Sequence, residues 1–327
     1  MSIIETLKQK LQNTTYKPKI VYVEGWNSNI RDAALEVSNN KTINPFLIFH
    51  TKSEVPSGFN LPHIIIDETD LSKYTNLLFE LRKSKGMTIE QAQQLVKQPN
   101  YLATLIVKAN DADGEICGID YTTKDTLKPA LQIIKTAPGA KLVTSAFIME
   151  KNDEVYVFGD CAINIYPTSE ELANITKMIS LFAHNTANIP DVRTAMLSYS
   201  TSGSGAGESV DKVKSAYQLI QNDSELKAQN IQIFGEMQFD AAFNSQVMQK
   251  KAKGISWSKP ANAFIFPNID AGNIGYKIAQ RMGNYKAIGP TLIGLALPVN
   301  DLSRGASKDD VVGLSYITGN QVLQIKK

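Results

Sequence analysis

Short apolar runs, each bounded by turn residues, alternate along this chain with segments of helical period. Residues 19–25, 45–50 and 64–67 read as strands. Between the first two, residues 29–37 read as a helix with Ala33, Ala34 and Val37 on one face. Parallel strands need a crossover helix, so this spacing predicts βαβ units and a mainly parallel sheet. A chain of 327 residues exceeds one ordinary core, and two α/β domains are expected.

Further along, residues 73–85 form a helical pattern with Leu77, Leu78 and Leu81 as its stripe, stopped by Gly86. Thr88 and Gln91 make a capping box for a helix over 89–97, broken at Pro99. Residues 101–109 read as another strand. Arg82 reads either as a charge placed on a helix C-terminus or as an anion contact. The Asp111-Ala112-Asp113-Gly114 run departs from a calcium loop, with glycine at the wrong place and Thr122 where the twelfth-position Glu should stand. Residues 122–129 lead into a helix over 130–135, with Pro129 at its first position. The hydroxyls there, Thr126 among them, together with Lys128, suit either a phosphate or a polar turn.

Pro138-Gly139 marks a turn and a hinge, after which the alternation resumes. Strands are expected over 142–149, 155–158, 193–200 and 263–267, and helices over 169–184, 210–221 and 274–282. The segment 201–209, Thr-Ser-Gly-Ser-Gly-Ala-Gly-Glu-Ser, joins a strand to a helix. It reads as a phosphate cradle built on Ser202 and Gly203, or as a flexible connection. It is neither a Walker A loop nor G-x-G-x-x-G. Glu236 and Asp240, four apart at a strand end and helix start, could do acid–base work or close an interface.

Composition removes several classes of function. The net charge of +2 is too small for a nucleic-acid surface, and no apolar run approaches the 18 residues of a membrane span. Residues 1–11 carry Glu5, Lys8 and Lys10 at helical spacing rather than a signal peptide's apolar core, so a cytoplasmic protein is expected. Cys117 and Cys161 make neither a disulfide framework nor a zinc pattern, and His50, His63 and His184 are scattered. No metal and no tightly bound cofactor are expected. Cys161 reads as a small buried thiol rather than a nucleophile.

The densest chemistry lies at residues 298–310. An apolar run over 291–297 reads as a buried strand ending at Pro298, and a helix is expected over 311–325. Ser307 and Asp310 fit a capping box at its start, and Arg304 stands just before it. Only five of the 34 basic residues are arginine, namely Arg31, Arg82, Arg193, Arg281 and Arg304. One of the few bidentate forks thus stands where a helix N-terminus already favours anions. The same residues also fit plain capping beside a solvated loop.

Several blocks together resemble the phosphate acetyltransferase (phosphotransacetylase) family. They are Glu80-Leu81-Arg82-Lys83 with Lys85-Gly86, residues 125–136, and Met196-Leu197-Ser198-Tyr199-Ser200-Thr201. Gly235-Glu236 with Asp240-Ala241-Ala242, residues 268–281 and residues 298–307 complete the set. They run in order from about residue 80 to 314, and the first 75 residues carry least of the likeness.

The resemblance implies reversible transfer of acetyl between phosphate and the coenzyme A thiol, with acetyl-CoA, phosphate and acetyl phosphate as partners. It implies two mainly parallel α/β domains of the isocitrate/isopropylmalate dehydrogenase-like kind, with a cleft between them, in a homodimer. The first domain would be residues 1–140 plus 291–327, and the second, residues 141–290, would be inserted into it. Carried over by position, Ser303 meets the coenzyme A sulfur, Arg304 the acetyl carbonyl or phosphate oxygen, and Asp310 takes the thiol proton. Arg82 would bind phosphate or coenzyme A. The family has arginine where this chain has Lys128, which keeps the charge and loses the fork. A butyryl-transferring relative and a non-catalytic phosphate-ligand module are the alternatives.

Overall fold

The structure is a computed structural model and describes residues 1–326. Two compact units emerge: a terminal unit of Ile4–Pro138 with the residues from Leu295 onward, and a central unit of Met1–Ile3 with Gly139–Gly294. The chain opens with α1 (Ile3–Gln12), β1 (Lys19–Tyr22), α2 (Ser28–Asn39), β2 (Asn44–Phe49) and β3 (His63–Ile65). Asn27 caps α2 by accepting from the Asn29 amide, and the buried face is Ile30, Ala33, Ala34 and Val37, as the spacing predicts.

Next come α3 (Ser72–Arg82), α4 (Ile89–Val96), α5 (Pro99–Lys108), β4 (Gly114–Cys117) and α6 (Thr123–Pro129). The capping box of Thr88 and Gln91 is present. Residues 101–109, expected as a strand, are instead most of α5. Every residue from Pro99 to Val107 is buried, so the segment has no polar face for a period to reveal. Pro99 does not merely break the preceding helix; it opens the next one at a first-turn position, where its missing N–H costs nothing. Residues 130–135 also differ from expectation. The α6 helix begins seven residues earlier, capped by Thr122, and runs through Pro129 into a π-turn over Ala130–Ile134.

The central unit contributes β5 (Thr144–Lys151), β6 (Glu154–Gly159), α7 (Ser169–Asn185), β7 (Arg193–Leu197), α8 (Glu208–Ile220) and α9 (Ser224–Ala228). It continues with β8 (Gln232–Met237), α10 (Phe239–Phe243), α11 (Ser245–Lys251), β9 (Ala263–Ile265), α12 (Ile269–Arg281) and β10 (Lys286–Ile293). Its sheet runs β10-β5-β6-β9-β7-β8 among the described residues. The pairs β10–β5 and β5–β6 are antiparallel, and the rest are parallel. Phe147, Phe158, Phe264 and Trp257 anchor its core.

The chain then returns to the terminal unit as β11 (Val299–Asp301) and α13 (Lys308–Ile325). The strand expected over 291–297 is divided. Its first residues end β10, and Leu295 makes only an isolated bridge to Thr136. Gly294, at φ +97°, turns the chain out of the strand, and a Cβ there would fall 2.5 Å from the Leu142 carbonyl oxygen. The terminal sheet is fully parallel, in the order β11-β4-β1-β2-β3. On it, α13 buries Val311, Leu314 and Ile317, each stabilising the fold by roughly 1.5–3 kcal/mol.

Candidate active site

In parallel α/β sheets ligands collect beyond the carboxyl ends of the strands. In the terminal unit the segments following β1, β4 and β11 all lie there. Leu302 donates its amide to the Cys117 carbonyl at 2.7 Å, so the chain leaves β11 still tied to β4. Asp301, 1% exposed, accepts from the Thr123 hydroxyl at 2.6 Å and from the Thr126 hydroxyl at 2.8 Å. Ser303, Arg304 and Gly305 follow, all exposed. Asn29 on α2 closes the loop by donating to the Ala306 carbonyl at 3.0 Å.

Ser307 then caps α13. Its amide and hydroxyl donate to Asp310 Oδ2 at 2.9 and 2.7 Å, and the Asp310 amide donates back to Ser307 Oγ at 3.2 Å. A hydroxyl, a guanidinium and a half-buried carboxylate are thereby held within eight residues, at the positive end of an eighteen-residue helix.

Arg82 is the last residue of α3, which packs on α5; α5 packs on α6, and α6 on β11. Its Nε is buried without a hydrogen-bond partner. Burial raises the Tyr101 phenol above its usual range, partly opposed by the Arg82 charge. Lys128 is exposed on α6, whereas Thr126, one turn from the cap, is fully buried with its hydroxyl spent on Asp301.

In the central unit the glycine-rich loop already holds an anion, the protein's own. Glu236, 3% exposed, accepts at Oε1 from the Gly203 amide and the Ser200 hydroxyl, both at 2.8 Å. The Gly205 amide donates to Ser200 Oγ at 2.9 Å, and the Ser204 amide to the Thr201 carbonyl at 3.1 Å. The nest expected to cradle phosphate is turned inward, with Ser202 and Gly203 exposed on its outer side. Glu236 and Asp240 do not form an acid–base pair. Asp240 lies on the surface and accepts from Lys251 at 2.8 Å. Cys161 is buried, and burial pushes its thiol well above the usual value, which makes it a poor nucleophile. His50 packs against Trp26, with ring centroids 4.6 Å apart and the planes tilted by 33°.

Three buried carboxylates in the terminal unit escaped the reading of the sequence. Glu24 accepts at Oε1 from the amides of Gly118, Asp120 and Tyr121, fixing the turn that leads into α6, and burial pushes it up to about 7. Asp301 is pushed up to about 6 by burial, against the pull of its two threonines. Each lies in or just after a buried strand of the parallel sheet.

Glu115 is the third. Thr104 has one hydroxyl proton but two close oxygens, the Asn100 carbonyl at 2.8 Å and Glu115 Oε2 at 2.9 Å. Either the one proton is shared between them, or Glu115 carries a proton and donates to Thr104, which frees the hydroxyl for Asn100. Burial favours the second, raising this carboxyl from 4.5 to about 8. With the folded value raised, the stability it contributes is complete below pH 4.5 and is lost as pH climbs through about 8. Glu115→Gln should therefore melt at nearly the wild-type temperature near pH 5, gain on it steadily, and hold a constant lead above pH 8. A lead independent of pH across that window would show an ionised Glu115.

The family model described as phosphate acetyl/butaryl transferase matches residues 2–319. The chain belongs to this family. It is therefore an acyltransferase, and the stretch containing Ser303, Arg304 and Asp310 lies inside the match. The phosphate acetyltransferase of Mycoplasma pneumoniae is 48% identical, covering 99% of this chain and 100% of that one. Among solved structures, the EutD phosphotransacetylase from Staphylococcus aureus is 41% identical with a TM-score of 0.89, covering 98% of both chains. A phosphotransacetylase from Streptococcus pyogenes is 37% identical with a TM-score of 0.90, covering 99% of this chain and 100% of that one. The fold of this family member is accordingly mixed α/β with mainly parallel sheets. Among the described residues no helix is long and apolar enough to cross a membrane.

Proposed function

We propose that the chain catalyses acetyl-CoA + phosphate ⇌ acetyl phosphate + CoA, by direct attack of the thiolate within a ternary complex. The observation that carries the reading is the exposed Ser303-Arg304 pair, set on a braced loop against the N-terminus of α13, with Asp310 in its first turn. In the direction of thioester formation, Asp310 removes the thiol proton; its carboxylate accepts from Ser307 at Oδ2, and Oδ1 serves as the base. Ser303 orients the sulfur. Sulfur attacks the acetyl carbon, the carbonyl electrons move onto oxygen, and Arg304 holds the oxyanion. The tetrahedral centre then collapses and expels phosphate, a leaving group that needs no strong acid.

Arg82 and Lys128 supply cation for phosphate or coenzyme A. The buried, unpartnered Nε of Arg82 supports this, because a donor hidden from water gains most from an incoming anion. Thr126 contributes through Asp301 rather than by touching substrate, and Ser202 and Gly203 offer side-chain and outer-surface contacts only. Relatives named phosphate acetyltransferase favour acetyl over butyryl, a choice that rests on a few methylenes of pocket space.

The decisive experiment is isotope exchange between labelled phosphate and acetyl phosphate with coenzyme A left out. Direct transfer predicts exchange only once coenzyme A is added. Exchange without it, together with a kinetically competent acetyl-enzyme on Ser303 or Cys161, would refute the mechanism.

The enzyme is further proposed to act in the cytoplasm as a homodimer, with the two units as its domains. Ile274 and Ile278 on α12 and Met282 at its C-cap are exposed, with Ile278 beside exposed Phe239 and Phe243, a face suited to a second copy. Sedimentation should give twice the chain mass; a monomer at working concentration would exclude the dimer.

A further inference from the structure

One carboxylate in the terminal unit joins the elements that bear the proposed cations and nucleophile-orienting groups, yet lies too deep to meet substrate. Asp301 ends β11 two residues before Ser303. Its backbone is registered against Cys117 of β4, and the next amide, that of Leu302, bonds the Cys117 carbonyl. Its two carboxylate oxygens go to different threonines on α6, Oδ2 to Thr123 and Oδ1 to Thr126. Thr123 and Thr126 occupy one face of α6, and Lys128 follows two residues later. β4 also makes room for the carboxylate: at Gly118, just beyond this strand, a Cβ would stand 2.4 Å from Asp301 Oδ1.

A buried ion is an expensive way to join a strand to a helix, because apolar residues of similar shape usually serve stability as well or better. What a charge bridging two hydroxyls adds is direction. It fixes both the azimuth of α6 and the point from which the Ser303-Arg304 loop departs. We infer that Asp301 is a positioning residue of the active site, setting the Arg304 loop and the Lys128 helix in the register that transfer requires. The inference rests on the reading of the site given above and deepens it.

Three sets of variants test it, each assayed with acetyl phosphate and coenzyme A and checked by circular dichroism. Asp301→Ala should lower kcat about 30- to 100-fold while KM for both substrates moves less than about threefold, because a loosened loop misplaces the groups that act in the transition state. Asp301→Asn should recover most of the loss, since its carbonyl accepts from one threonine and its amide donates to the other. Removing the opposite half of the tether, with Thr123→Val and Thr126→Val together, should lower kcat in the same way, and adding Asp301→Ala to that pair should cost little more. If Asp301→Ala does not fold, the Asn variant and the threonine pair still decide the matter.

Wild-type kcat in both Asp301→Ala and the threonine pair, with Arg304→Ala inactive, would overturn the positioning role and leave the site standing. An Asn variant as slow as the Ala variant would do the same. Wild-type kcat in Arg304→Ala would instead bring down the reading of the site itself.

Discussion

Arg304→Ala lowers kcat by about two to three orders of magnitude, the loss typical when a donor to a developing oxyanion is removed. The side chain is exposed, on a loop held by Asp301, the Cys117 carbonyl and Asn29, so its removal leaves the fold intact. Melting temperature should stay within the small range of surface substitutions. Arg281→Ala, at the last residue of α12, is the matched control and should turn over normally. Lysine at 304 should recover only part of the loss, because it restores charge without the planar fork. Equal losses at 281 and 304 would return the loop to the role of simple helix capping.

Gly118→Ala should damage both stability and turnover. The residue sits at φ +110°, a conformation that costs an L-residue roughly 1–3 kcal/mol. Its Cβ would also stand 2.7 Å from the Leu302 amide nitrogen and 2.8 Å from the Leu302 carbonyl oxygen, and backbone cannot yield as a flexible side chain does. Overpacking of this kind adds about 1–3 kcal/mol, so a total near 3 kcal/mol or more is expected by denaturant titration. Gly58→Ala separates the two contributions. It shares a positive φ of +77° but has open space around it, and should lose only the backbone share. In refolded Gly118→Ala, kcat should fall as well, because the displaced groups are Asp301 and Leu302. Loss of stability with wild-type turnover would show that the departure of this loop from β11 does not govern catalysis.

What could be read in advance was local and periodic. Ser307 and Asp310 lie three residues apart and bond each other, so the start of α13 is written in a four-residue window. The buried face of α2 follows from the spacing of Ala33, Ala34 and Val37, and β1, β2 and β3 from short apolar runs, whereas β4 and β11 were not among the expected strands. The α5 helix was lost for the opposite reason. Pro99 to Val107 is buried on all sides, its few polar side chains paired with distant residues, and a segment buried all round shows no period to separate helix from strand.

Long-range pairing was invisible for a different cause. Glu236 fills the nest of the glycine-rich loop from 33 residues away, and Asp301 reaches Thr126 across 175. No window over the sequence joins such pairs. A loop rich in amide donors therefore read as a phosphate cradle or a flexible connection, and one of its amides, that of Gly203, is taken by the chain's own Glu236. The same holds for Glu24, which looked like the end of a strand and turns out to hold three amides of the turn before α6. The capping box of Ser307 and Asp310 was legible because it is compact in sequence; the buried bonds of Glu24 and Asp301 that brace the neighbouring loops were not.

The most direct measurement mixes the purified protein with acetyl phosphate and coenzyme A, and follows thioester absorbance together with phosphate release. The account predicts one thioester formed for each phosphate released, reversed when excess phosphate is added to acetyl-CoA, and nearly abolished in Arg304→Ala. Tight binding of either substrate with no thioester formed would contradict it.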